Sequence, residues 1–226
     1  MSDSELTDRQ ASLRAAGTDV LRSLDVLFEG VGRPIPTGSY VSGLMAWPEL
    51  DVMVLGGPDF SPHDVIALLG RAMSLPGVTG FEYLDERGDR SPTGERRDER
   101  YHVNIRLAEW RVDLSIWLYD DHINVTEWHR ALAARITDEE RLAVLRIKDV
   151  WHRRPEYPDE VSGLEIYTAV LDHGVRTPEA FGVWLTNGPL ASETLASGPL
   201  VSADSDGPGD ARDAVGIQGE EHPVTG

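Results

Sequence analysis

The chain has 226 residues, 40% of them hydrophobic, enough for one substantial domain or for one with a small helical appendage. Its 21 basic residues face 39 acidic ones, a formal net charge of −18; such a surface disfavours non-specific nucleic-acid binding, which works by neutralising phosphates, and favours a cationic partner, although simple solubility accounts for it equally. There is no cysteine, which excludes disulfides, thiolate metal sites and a cysteine nucleophile; no apolar run approaches the ~18 residues of a membrane span, and the polar amino terminus is unlike a signal peptide, so a cytoplasmic chain that meets no membrane is expected.

From about Thr7 to Val31, Leu13, Val20, Leu24, Leu27 and Phe28 recur at helical spacing, with Gly30 and Gly32 as the stop. Pro34 and Pro36 rule out helix and lead through a short strand into a Gly38-Ser39 turn and a short helix. Leu50 to Leu55 reads as a strand ending at Gly56-Gly57-Pro58. Ser61-Pro62-His63-Asp64 starts a helix, with Ser61 as cap, Pro62 at the first position and Asp64 at the positive end. Strands follow around Val78 to Leu84, Tyr101 to Leu107 and Arg111 to Leu118. The remainder is helical: Asn124 with Glu127 and Thr137 with Glu140 match the capping-box pattern, a helix runs from about Val161 to Asp172, and Thr177-Pro178-Glu179 opens a short last one. Beyond Asn187 the composition turns to Gly, Pro, Ser, Ala and Asp, and a disordered acidic tail is expected. The pattern divides the chain into an α+β domain over 1–120, with a mixed sheet and flanking helices, a helical region over 121–187 and the tail over 188–226.

The chemistry concentrates in two of these strands. In an extended strand alternate side chains share a face, so Glu49 and Asp51 point one way while Leu50, Val52 and Val54 point into the core. Asp113, between Val112 and Leu114, is a third carboxylate in a segment otherwise suited to burial. Unpaired buried charge is costly, so such groups are usually paired or on a metal. Two carboxylates on one face with a third nearby suit Mg²⁺ held against a triphosphate.

A Gly-Ser turn, nine intervening residues, acid-x-acid in a strand and a third acid in a later strand together resemble the nucleotidyltransferase superfamily related to DNA polymerase beta. Within it, the small bacterial drug-modifying enzymes of the aminoglycoside and lincosamide types look most similar, over roughly Pro36 to Leu118. The resemblance implies the polymerase beta-like fold, two Mg²⁺ ions held by Glu49 and Asp51, and Asp113 completing the site of the ion that activates the acceptor hydroxyl. It implies transfer of a nucleoside monophosphate, AMP from ATP in the first instance, to a hydroxyl of a small molecule such as an antibiotic, with release of pyrophosphate. The chain departs from the family at its first acid, which is Glu49 where many members have Asp.

Gly38 lets backbone approach phosphate, and Ser39 adds a hydroxyl donor. Ser42 either reaches the triphosphate or caps the short helix. Lys148, the only lysine, is either a solvent-facing helix residue or the cation that meets the phosphates, on a helix that the resemblance lays over the cleft. Arg87, Arg90, Arg96, Arg97 and Arg100 are interleaved with acids and read as a neutral solvated loop. His102, His129, His152 and His173 show no metal-binding spacing and read as structural. Trp110, Trp117, Trp128, Trp151 and Trp184 read as core or interface, and Trp47 as packing at the start of its strand or as a wall beside the acids. The competing function is a catalytically silent protein of the same fold, such as a toxin–antitoxin component.

Overall fold

A computed structural model describes residues 1–92, 98–119, 124–158 and 160–187, all within the unit Met1–Ser192. Its first helix, α1 (Asp3–Ser23), starts earlier and stops sooner than the apolar spacing predicts. The start is a capping box: Ser2 accepts from the Glu5 N–H, and the Glu5 carboxylate accepts from the Ser2 N–H at 2.6 Å. After Ser23 the chain tightens into a 3₁₀ turn, Asp25–Phe28. That turn brings Leu24, Leu27 and Phe28 all into the core, which the predicted single helix to Val31 does not describe.

Next come β1 (Ile35–Pro36), α2 (Gly38–Ser42), β2 (Glu49–Leu55), α3 (Pro62–Ala72), β3 (Val78–Arg87), β4 (Glu99–Leu107) and β5 (Trp110–Trp117). The helix α3 opens as the sequence predicts, with the Asp64 carboxylate accepting from both the N–H and the hydroxyl of Ser61. The five strands form one mixed sheet in the order β1-β2-β5-β4-β3. Strands β3, β4 and β5 form an antiparallel meander, while β5 lies parallel to β2. The α+β class with flanking helices is therefore met.

Alternation sorts the strand residues. Leu50, Val52 and Val54 of β2, Tyr101, Val103 and Ile105 of β4, and Val112, Leu114 and Ile116 of β5 enter a core shared with Leu24, Leu27, Leu68 and Trp110. Their neighbours in sequence, Glu49, Asp51, His102, Asn104, Arg111 and Asp113, stand half-buried on the opposite face.

The helices α4 (Asn124–Arg135), α5 (Asp138–Trp151), α6 (Gly163–Leu171) and α7 (Pro178–Asn187) follow. They build a second cluster around Leu132, Val144, Ile147, Trp151, Ile166, Val170 and Phe181. The predicted Thr137–Glu140 capping box is present. Consecutive residues Leu44 and Met45, just past α2, enter different clusters: Leu44 the helical one, Met45 the sheet one. Trp110, Trp117 and Trp151 are buried, and Trp128 and Trp184 pack against the helical cluster. The Asn124 side chain, Arg96, Arg97 and the tail 188–226 lie outside the described residues.

Candidate active site

Strand β1 leads into α2, which turns the chain toward β2 at the site. The Thr37 N–H donates to the Asp51 carbonyl at 2.9 Å, tying the start of the turn to the strand. Gly38 follows with φ +61, and a Cβ there would lie 1.8 Å from Asp51 Oδ2. Only glycine allows this approach, since a side chain would both strain the backbone and occupy the carboxylate's space. The Ser39 N–H then donates to the Asp51 carboxylate. Gly43, with φ +67, ends α2, and Arg141 of α5 caps it by donating to the Ser42 and Gly43 carbonyls at 3.3 and 3.0 Å.

Ser42 turns inward. Its hydroxyl donates to the Gly38 carbonyl at 3.2 Å and is fully buried, so it stabilises the turn from inside. Ser39 is buried at the start of α2. The buried Thr37 hydroxyl finds no protein partner, an orphan donor immediately before the glycine.

The parallel pairing of β2 with β5 sets Asp51 directly beside Asp113 and Glu49 beside Arg111. Burial pushes the Glu49 carboxyl up to about 8, with the Asp51 and Asp113 charges adding to it against the pull of Lys148 and Arg111. Burial and the Asp113 charge likewise raise Asp51 to about 6, opposed by Lys148, Arg111 and the Ser39 N–H. Burial, more than like charge, therefore disfavours ionisation of these two acids.

Lys148 corrects the solvent-facing reading. It is only 3% exposed, and its ammonium stands 5.8 Å from the Trp47 ring centroid and 5.7 Å from that of Tyr167. Burial alone would lower its pKa, but Tyr167, Tyr157, Glu49 and Asp51 hold it above the ordinary lysine value. Trp47 packs edge-on to Tyr157 with centroids 4.7 Å apart and tilts against His152 at 4.9 Å. His129 is half-buried, its pKa pulled down to about 4 by burial and by Lys148.

His102 is the residue that sequence reasoning missed. Its Nε2 is hydrogen-bonded to Asp113 Oδ1, and that bond, outweighing burial, raises its pKa. The signal was available: His102 and Asn104 alternate with Tyr101, Val103 and Ile105, as Asp113 alternates with Val112 and Leu114. The expected solvated loop is narrower than the sequence suggests: Arg87 ends β3 and Arg100 lies in β4, both half-buried, and the described arginines are paired with acids. Arg87 and Arg90 pair with Asp85, and Arg100 with Glu86.

The donors fit Mg²⁺ in kind, being hard carboxylate oxygens beside a glycine cradle. Among the described residues, however, no group of three or more His, Asp and Glu side chains is arranged to enclose an ion as it stands. Asp113 is engaged by His102.

No family model matches the chain, and no curated protein matches it. Among solved structures, it is similar to a cytoplasmic RNA terminal U-transferase at TM-score 0.46 and 18% identity, covering 75% of this chain and 49% of that one. It is similar to the Cid1 poly(U) polymerase at TM-score 0.45 and 17% identity, covering 76% of this chain and 49% of that one. The chain thus spans about half the length of these structures. With similarity this low, the chemistry of the site rests on its own residues. No described helix is long and apolar enough to cross a membrane.

Proposed function

We propose that this chain is a nucleotidyltransferase that moves a nucleoside monophosphate, AMP from ATP, to a hydroxyl of a small polyhydroxylated molecule such as an antibiotic. The observation that carries this reading is the side-by-side register of Asp51 and Asp113, with the Gly38 turn closed onto the Asp51 carboxylate. In the reaction the acceptor oxygen bonds to the α-phosphorus, the bond to the bridging oxygen breaks, and pyrophosphate leaves. Glu49 and Asp51 would hold two Mg²⁺ ions, with Asp113 completing the site of one. Bound there, Mg²⁺ would neutralise phosphate charge and ease loss of the hydroxyl proton. Gly38 and Ser39 offer backbone and hydroxyl donors to the phosphates, and Thr37 adds its unpartnered hydroxyl. Lys148 supplies buried positive charge beside the acids, where it meets triphosphate oxygens without competing hydration.

The small acceptor is favoured over nucleic acid by the formal charge of −18. The competing reading, a silent binding protein of the same fold, draws on the engagement of Asp113 by His102. The deciding experiment measures pyrophosphate release with each nucleoside triphosphate against a panel of hydroxylated small molecules and RNA, with products read by mass. A labelled small molecule supports the proposal. RNA labelled in preference to every small compound overturns the acceptor, and triphosphate binding that ignores Mg²⁺ overturns the transferase.

A further inference from the structure

We propose that His102 is a positioning residue for Asp113, gripping one carboxylate oxygen so that the third acid of the site keeps a single orientation. The inference rests on the transferase reading and adds a supporting chain of residues behind it. In the β4–β5 register His102 lies opposite Ser115, and Asn104 lies opposite Asp113. His102 therefore reaches Asp113 along the diagonal of the pleat, on the same sheet face. Its Nε2 meets Asp113 Oδ1, while its Nδ1 stands 3.6 Å from Glu86 Oε1.

Glu86 is itself held. Its Oε2 accepts from Arg100 Nε at 2.6 Å, and Arg100 also lies 3.7 Å from Asp98. The imidazole is thus held at Nε2 by Asp113, with the anchored Glu86 carboxylate facing Nδ1 beyond hydrogen-bond distance, an arrangement that favours the Nε2 proton toward Asp113. The second oxygen, Asp113 Oδ2, has Arg111 Nη2 at 3.7 Å, too far for a hydrogen bond. Arg111 is committed elsewhere, donating from Nε to Asn104 Oδ1 at 3.0 Å. One oxygen of Asp113 is therefore gripped, and the other, within ion-pair but not hydrogen-bond distance of Arg111, is the one that would meet a metal ion. Supporting groups behind a metal ligand commonly change ion affinity by about 10–100-fold when removed.

The test uses the full chain as wild type, His102→Ala and His102→Gln. Mn²⁺ binding is followed by electron paramagnetic resonance in the presence of a non-hydrolysable α,β-methylene triphosphate. Wild type should take up two Mn²⁺. His102→Ala should weaken one of them by about tenfold or more while melting like wild type, and His102→Gln, which restores an N–H donor of similar reach, should recover most of the loss. Unchanged Mn²⁺ affinity in His102→Ala overturns the inference, as does an equal loss in the Ala and Gln variants. A wild type that binds no Mn²⁺ with the analogue removes the transferase reading itself, and this inference with it. If wild type binds and His102→Ala matches it, the inference alone falls.

Discussion

Replacing Asp51 by Asn should make the metal-free protein more stable while abolishing its chemistry. The Asp51 carboxyl rises from its ordinary 3.8 to about 6 in the fold. At about 1.36 kcal/mol per pH decade, holding it ionised above pH 6 costs about 3 kcal/mol, an upper bound for a half-buried group. The sign follows from proton linkage. A raised folded pKa means the native state binds the proton more tightly, so the stability is full below 3.8 and is lost as pH rises through 6. Asn keeps the shape and an acceptor for the Ser39 N–H but carries no charge, so it escapes the loss. The variant should therefore melt above wild type at pH 8 in EDTA. At about 2–4 °C per kcal/mol for a chain of this length, the gap is up to about 6–12 °C. At pH 5, where wild type is largely protonated, about half of that advantage remains. Saturating Mg²⁺ and triphosphate should stabilise wild type and leave the variant unmoved, closing or reversing the gap. Thermal melts at both pH values, with and without Mg²⁺, measure all of this, and turnover should fall by orders of magnitude. An Asp51→Asn protein that melts below wild type at pH 8 in EDTA, or gains as much from Mg²⁺, refutes the reasoning.

Gly38→Ala places a methyl 1.8 Å from Asp51 Oδ2 at φ +61; the backbone alone should cost about 1–2 kcal/mol, and melts with nucleotide titrations should show lower stability together with lost Mg²⁺-dependent binding. Lys148→Met keeps the apolar stem against Trp47 and Tyr167 but removes the charge; triphosphate Kd should rise about 10- to 100-fold, from the 1.5–3 kcal/mol of a charged hydrogen bond, and the melting temperature should fall at pH 8, where Glu49 and Asp51 lose a buried counter-charge, both read by calorimetry. A chain ending at Asn187 retains both core clusters and should match the full chain in melting temperature and rate; a clear drop in either would give residues 188–226 a role in the fold or the chemistry.

The sheet was legible where its strands alternate: Glu49 and Asp51 could be placed on one face by counting in twos, while the setting of Asp113 beside Asp51 came from the strand register. The end of α1 was not legible, because Leu24, Leu27 and Phe28 suit an α-helical stripe as well as the 3₁₀ turn that buries them. Ser42 misled because a hydroxyl near a glycine turn can face outward or back onto its own helix, and only the fold shows it bonded to the Gly38 carbonyl. Lys148 was half legible. It falls in the stripe Val144, Ile147, Lys148 and Trp151, all buried, and a cation on an apolar face announces a hidden partner. Which partner it faces depends on how the helices dock, and that is non-local.

The parallel pairing of β2 with β5 has a consequence for how the protein acquires its chemistry. Between Asp51 and Asp113 the chain makes α3, β3 and β4 before returning. The meander β3–β4–β5 needs only neighbours in sequence and can zip up locally, whereas β2 must find β5 across a long loop, the slow kind of contact in folding. The two acids therefore meet only when the most distant strand pairing closes. On refolding from denaturant, secondary structure should return first, and Mg²⁺-dependent nucleotide binding should appear with the slowest phase, so that no partly assembled species displays the site.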